Sequence, residues 1–433
     1  MRFFVFLAGC VLSTALPAAA PWTLPTALAE ARAHSPEAAM AAARLERAQS
    51  MGDQAGAANL PQVTLKAGYS QTTNPMMAFG AILTQGAFAP TIDFNAPGQV
   101  DNLNLTGIVG YNLYSGGRAT AGLAAARSGV AATEQDRATT FARLDAAVTR
   151  AYFGIRQARE GLVALDAAVV TYEESLRVAR LRYEAGQMLK SELLNLEVQL
   201  AQTREQRLLV RQQATLVARQ FLYLLGRQPI GDVELADSDA AIAAITAPSE
   251  LSIDQRPELL AMEARVEAAA QMADVARGAR RPTVNAFASY QLDHGWRLNG
   301  DGDSWMAGIQ AEWAVFDGKT ASSKIRAARA DYAEAEAGLS QLGLALSLEL
   351  EQARLAHEFA VEQLAVTATL VDQADESARI SRARFEAGSL LSAELIGVET
   401  RLTETRMRRA VAAAGERVAA AELRRAAGLP ILP

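Results

Sequence analysis

The sequence predicts a mainly α-helical protein with a transmembrane β component: long coiled-coil hairpins in tandem repeat, with four β-strands per chain. Three observations carry this. Residues 182–204, RYEAGQMLKSELLNLEVQLAQTR, recur at 384–406 as RFEAGSLLSAELIGVETRLTETR, with eleven of 23 aligned positions identical. Runs of alternating polarity, the period of strands, occur twice in each half of the chain. Residues 120–183 contain no proline and carry an apolar seam at 4,3 spacing.

The N-terminus, MRFFVFLAGCVLSTALPAAAP, has one Arg, an apolar run from Phe3 to Leu16 and then small residues. This is the pattern of a secretory signal peptide over residues 1–20, cleaved near Ala18 to Ala20. Cys10 is the only cysteine, and LAGC at 7–10 also resembles a lipobox. Cys10 is therefore either lipidated or removed with the signal; removal leaves a mature chain with no thiol for a disulfide or metal site. A formal charge of −6 and a pI near 5.4 argue against a nucleic-acid partner, which requires a basic face. Half the residues are hydrophobic but only 6% aromatic, and Ala supplies much of the difference. Such a composition favours closely packed helices.

The duplication spans nearly the whole chain. SPEAAMAAARLERAQ from Ser35 aligns with RPELLAMEARVEAAA from Arg256 at an offset of 221, which also pairs Tyr69 with Tyr290. From Tyr111 onward the offset is 202, pairing Gly116 with Gly318, Gly186 with Gly388 and Gly226 with Gly428. The first copy thus occupies 21–226 and the second 257–428. A linker at 227–256 joins them, and a tail at 429–433 follows. The 19-residue excess of the first copy lies between residues 70 and 110, the mark of a surface loop at about 72–102.

Strands are expected at about 62–71, 103–113, 283–291 and 304–315. Val63, Leu65, Ala67 and Tyr69 alternate with Thr64, Lys66, Gly68 and Ser70, and Trp305, Ala307, Ile309 and Ala311 alternate with residues that include Gln310 and Glu312. A tilted strand crosses a bilayer in roughly 9–11 residues, and apolar-out alternation with terminal aromatics suits a transmembrane barrel. A soluble antiparallel sheet alternates too. Four strands cannot close a membrane barrel, for which about eight is the minimum, so the membrane reading implies oligomerisation.

After NLYSGGR (112–118), a long helix is expected at about 120–183 and a return helix at about 190–226. The second copy places them at about 320–385 and 392–427. At about 1.5 Å per residue the first rod is near 96 Å long. Its seam runs Leu144, Val148, Ala151, Ile155, Ala158, Leu162, Leu165, Val169, Tyr172, Leu176, Ala179, Tyr183. The second copy keeps Leu346, Leu350, Ala353, Ala360, Leu364 and Val371, with His357 where Ile155 sits. A single seam histidine is a core residue rather than a metal ligand, and His34, His294 and His357 are far apart in sequence. Gly186 and Gly388 sit where each rod must reverse, which calls for a left-handed backbone. The tips are more alike than the rods, which suggests a shared binding task as well as a turn.

Taken in order, these elements resemble the TolC family of outer-membrane channel proteins, from about Trp22 to Pro430. The motifs are NLYSGGR with its echo VFDGKT (315–320), and the tips RYEAGQMLKSELL and RFEAGSLLSAELI. The resemblance implies a homotrimer whose strands close one twelve-stranded barrel among the lipids of a Gram-negative outer membrane. Its helices would form a periplasmic tunnel serving a tripartite efflux pump or type I secretion system. It implies a periplasmic adaptor (membrane fusion) protein docking at the tips, through Tyr183, Gly186, Ser191, Phe385 and Gly388. An inner-membrane pump or ABC transporter would drive export. Glu394, with Glu192 as its equivalent, would line a periplasmic constriction. The tips depart from the family in carrying Glu192 and Glu394 where Asp is common, and Phe385 where Tyr is. No cofactor, metal or catalysis is expected: the chain has no phosphate loop, no HExxH and no Ser/His/Asp pattern, and Ser115-Gly116-Gly117 reads as a turn. The alternative is a periplasmic coiled-coil adaptor or scaffold, although no lipoyl-like domain can be found between the helices.

Overall fold

The computed structural model describes residues 21–93, 95–236, 240–243 and 245–432. The signal peptide and Cys10 lie outside the described residues. The chain divides into two compact units. One comprises residues up to Met40, Thr140–Arg256 and Leu346 onward; the other comprises Ala41–Thr139 and Pro257–Ala345.

The two copies are built from helices of matching length. The first short helices, α2 (Pro36–Ala57) and α7 (Pro257–Gly278), have 22 residues each. The long helices α4 (Arg118–Glu184) and α8 (Thr320–Glu386) have 67 each, and the return helices α5 (Lys190–Leu224) and α9 (Ser392–Ala426) have 35 each. A helix α1 (Leu24–His34) opens the first copy, and a single turn α6 (Ala240–Ala243) lies in the linker. Among the described residues no helix is long and apolar enough to cross a membrane.

The sheet-bearing unit contains β1 (Gln62–Thr72), β2 (Val100–Tyr114), β3 (Thr283–Gly295) and β4 (Gly300–Glu312), antiparallel in the order β1-β2-β3-β4. Val63 faces Val109, Leu105 faces Leu292 and Tyr290 faces Trp305 across the ladders, with a register shift between Asn112 and Tyr114. The expected fourth strand at 304–315 is displaced. The ladder begins at Gly300, opposite Gly295, and ends at Glu312, leaving Trp313 and Val315 outside it. The polar run Asp301 to Asp303 belongs to a tight hairpin with Asn299 at φ 48°, and an apolar alternation that starts at Trp305 cannot reveal it. Within this unit Gly52 and Gly56 let α2 approach Val130 and Leu123 of α4, and Arg265 of α7 pairs with Asp136 of α4 at 2.5 Å.

The loop expected at 72–102 contains a further helix, α3 (Pro75–Thr84). Asn74 caps it, its side chain accepting from Met76 N and Met77 N at 3.0 and 3.3 Å, and Pro75 opens the first turn. An apolar helix of ten residues inside a loop leaves only this Asn-Pro signature in the sequence.

Among the described residues the other unit holds a large apolar core and smaller clusters beside it. Leu24 and Leu28 of α1, Leu144, Val148 and Tyr152 of α4, and Phe221 and Leu222 of α5 form the large core, together with Ala420 and Ala421 of α9. The linker completes this core with Val233, Leu235 and Ile245, and pairs Leu235 with Trp22 in a parallel bridge. The seam residues from Leu144 to Ala179 are buried or half-buried as their spacing requires, but Tyr183 emerges at the end, 40% exposed. His357 is half-buried on α8.

Symmetric glycines close this unit. Gly226 and Gly428 both have φ 72° and end the return helices. A Cβ on Gly226 would collide with the His34 carbonyl, and one on Gly428 would meet Gln255 at 2.8 Å. His34 and Gln255 are themselves repeat-equivalent at the offset of 221, so the same close approach is made in both copies.

Candidate functional site

The hairpin tips are built from the backbone outward. At the end of α4, Gly186 adopts φ 72° and Gln187 N donates to the Arg182 carbonyl at 2.8 Å. At the end of α8, Gly388 adopts φ 83° and Ser389 N donates to the Arg384 carbonyl at 2.9 Å. Both are left-handed C-terminal caps with six-to-one hydrogen bonds, which only glycine supplies without strain. Return helices α5 and α9 then start with Glu192 and Glu394 in their first turns, favourable against the helix dipole. Glu192 Oε2 also accepts from Leu189 N at 3.4 Å, while Glu394 is exposed.

Of the expected docking residues, Tyr183, Gly186, Ser191 and Gly388 are exposed. Phe385 is not. It is 1% exposed and packs in a core with Tyr172, Leu176, Leu196, Leu390 and Leu395. The two hairpins lie against one another, and Phe385 fills their contact while its equivalent Tyr183 points out.

That contact contains the residues sequence reasoning missed. Tyr172 Oη lies 3.3 Å from the Ile396 carbonyl, to which it donates, and 3.1 Å from Thr400 Oγ1; burial pushes its phenol above the ordinary range. Arg182 Nη1 donates to the Phe385 carbonyl at 2.9 Å, and its guanidinium lies 5.9 Å from the Phe385 ring. Arg382 donates to both oxygens of Glu399, at 2.6 and 3.0 Å, a bidentate pair that raises the Arg382 pKa. A signal for this pair did exist. Arg180–Glu197 and Arg382–Glu399 are equivalent at the offset of 202, as are Arg204–Glu173 and Arg406–Asp375. Complementary charges preserved between copies at the same separation mark contacts between paired helices.

The sheet of the other unit carries a separate candidate surface. One face carries exposed Val63, Leu65, Tyr69, Val109, Tyr111, Trp305 and Ile309. The other carries a polar network in which Asp293 accepts from Asn102, Asn104 and Gln291 at 2.6, 2.9 and 2.6 Å. An antiparallel sheet with an aromatic-bearing apolar face exposed and a hydrogen-bonded polar face behind it is suited to a lipid boundary, not to a soluble core. Among the described residues no group of three or more His, Cys, Asp or Glu is arranged to hold a metal.

A chain of paired long-helix hairpins bearing such a sheet is the protomer of an outer-membrane channel. It belongs to the outer membrane efflux protein family, whose profile matches residues 27–227 and 249–429. Among solved structures it is similar to the outer membrane protein VceC of Vibrio cholerae, with 20% identity over 94% of this chain and 96% of that one and a TM-score of 0.79. It is similar also to the CmeC outer membrane channel of Campylobacter jejuni, with 14% identity over 94% and 85% and a TM-score of 0.78. The MtrE outer membrane channel of Neisseria gonorrhoeae, in its open state, aligns with 15% identity over 94% and 89% at a TM-score of 0.74. No curated protein sequence matches the chain. The protein is therefore an efflux channel component of a Gram-negative outer membrane, a passive conduit and not an enzyme.

Proposed function

We propose that three copies of this chain close one twelve-stranded barrel and continue as a periplasmic tunnel, the exit duct of a tripartite efflux pump or type I secretion system. The observation that carries this reading is the sheet's two free edges. Among the described residues β1 and β4, of 11 and 13 residues, each have a strand neighbour on one side only. In hydrocarbon every unpaired backbone group costs several kcal/mol, so these edges need strands from other copies. Pairing β1 of one copy with β4 of the next is a head-to-tail contact that closes by rotation. Two copies would give eight strands, an interior just filled by side chains, whereas three leave an open lumen. Helix α8 adds an exposed apolar stripe of Leu348, Leu355, Phe359, Val366 and Leu370, spaced alternately seven and four residues apart on one helix face, suited to a neighbouring helix.

On this reading Tyr183, Gly186, Ser191 and Gly388 meet the periplasmic adaptor, with Phe385 holding their hairpin from behind. An inner-membrane pump or ABC transporter loads the duct. Three copies of Glu394 around one axis form an acidic ring that favours cations, with Glu192 on its outer side.

Membrane fractionation tests the assembly: heat-modifiable trimers in the outer membrane support it, and soluble periplasmic material would return the chain to the adaptor class. In planar bilayers the wild type should select cations and be blocked by multivalent cations from the periplasmic side. Glu394→Ala should weaken that block more than Glu192→Ala does. Equal block in wild type and Glu394→Ala removes Glu394 from the constriction.

A further inference from the structure

Helix α3 is seated on the sheet in a way that assigns its exposed side chains a place. Thr84 and Gln85 lie against three glycines of the β3–β4 hairpin. A Cβ on Gly302 would collide with the Thr84 carbonyl, one on Gly295 with the Gln85 side chain, and one on Gly300 would meet the Gln85 carbonyl oxygen at 2.8 Å. Gln85 is buried, and its Nε2 donates to the Asp101 carbonyl and to Asn102 Oδ1 at 2.7 and 2.9 Å. Ala78 and Ile82 pack on Val100.

Strand parity settles the side of the sheet. Gly302 alternates with Asp301 and Asp303, on the face opposite Trp305, and Asn102 lies on the face opposite Leu103. Thus α3 sits on the polar face, the one turned away from lipid. Its remaining surface presents Met76, Met77, Phe79 and Leu83, all exposed and all apolar. Beside the helix that face carries the hydrogen-bonded Asn102, Asn104, Gln291 and Asp293, so α3 sets an apolar surface next to a polar network.

We propose that three copies of α3 form an apolar collar inside the extracellular mouth of the channel. Met76, Met77 and Leu83 would line it. The collar passes apolar and amphipathic organic solutes and retards hydrated ions and hydrophilic solutes, because a narrow apolar ring dewets. This makes small organic amphiphiles the cargo class. The inference rests on the trimeric channel reading.

The test is a labelling rate on intact cells, which does not depend on the state of the periplasmic end. Gln310→Cys, in a Cys10→Ser background, places a thiol on the polar face opposite Asn285, far from the β3–β4 turn. A membrane-impermeant sulfonated maleimide added outside should label it slowly. Labelling should quicken on the order of tenfold when Met76, Met77 and Leu83 are all Ser, and an uncharged apolar maleimide should change by less than about twofold. Leu83→Ser alone is the milder variant, and Gly302→Val, which unseats α3, should also accelerate the sulfonated probe. Rates are read only on heat-modifiable trimers. Equal rates for the sulfonated probe in wild type and every variant would overturn the collar while leaving the channel intact. Absence of trimers, or a Gln310→Cys thiol reached only by lipid-soluble probes, would overturn the channel and the collar together.

Discussion

The duplicated ion pair near the tips gives a controlled experiment within one chain. Arg180–Glu197 and Arg382–Glu399 have the same residues at the same separation on equivalent helices, but not the same surroundings. The side chains of the first pair are 57% and 40% exposed; those of the second are 36% and 3%. An exposed pair contributes about 0.2–1 kcal/mol, since water replaces the lost partner. Breaking a fully buried pair costs about 3–5 kcal/mol, because the remaining charge is stranded. In Glu399→Ala the stranded group is Arg382, which is partly exposed and can turn to water. The cost therefore falls below that range, at about 2–3 kcal/mol for two charge-assisted hydrogen bonds. The assay is native-state amide hydrogen exchange, which reads local opening free energies segment by segment. At about 1.4 kcal/mol per factor of ten, amides of α8 and α9 around residues 378–404 should exchange roughly 30- to 140-fold faster in Glu399→Ala. Glu197→Ala should accelerate the α4–α5 tip by about fivefold or less. Equal acceleration in the two variants, or none in Glu399→Ala, would refute the claim that burial in the hairpin contact is what makes the second pair matter.

Gly226→Ala and Gly428→Ala combine a left-handed backbone with a collision against His34 or Gln255, and should each cost more than about 3 kcal/mol and abolish folded protein at the outer membrane. Gly186→Ala, with open space around its Cβ, should cost only about 1 kcal/mol and still fold, as thermal dissociation of the assembly on gels would show. Lys319, at φ 74°, is the repeat equivalent of Gly117 at φ 85°, and Lys319→Gly should stabilise by about 0.5 kcal/mol, strain relief outweighing added chain entropy; a lower dissociation temperature would contradict this. Burial pushes Glu349 up, but the hydrogen bond from Arg425 and the charges of Arg256 and Arg425 outweigh it and hold the carboxyl below its ordinary value. A depressed carboxylate stabilises the fold above its unfolded pKa and loses that contribution as pH falls through its folded value. Glu349→Gln should therefore flatten the loss of stability below about pH 4.5, and an unchanged acid melting profile would count against it.

How much of this was legible in the sequence follows the range of the interactions. The helices, the reversals at Gly186 and Gly388 and the alternating strands are local: periodicity declares which face is buried, and a left-handed turn declares itself by glycine. The doubling of the motifs then set the equivalences between the copies, including the paired charges. The ends of the ladder were not legible, because at Gly300 to Asp303 hairpin geometry and not apolar alternation sustains the pairing.

The sequence by itself determined the repeat, its helices and its turns, and through them the family. Only the tertiary structure decided how equivalent residues diverge. Tyr183 and Phe385 align, yet one is exposed and the other buried, and Glu197 and Glu399 align, yet one is solvated and the other enclosed. The cause is that one hairpin packs against the other: a contact between two similar but nonidentical surfaces gives each copy a different environment, and nothing within either copy records which one faces inward. The seat of α3 on Gly295, Gly300 and Gly302 has the same origin, since it joins residues some 200 positions apart through the absence of side chains rather than their presence.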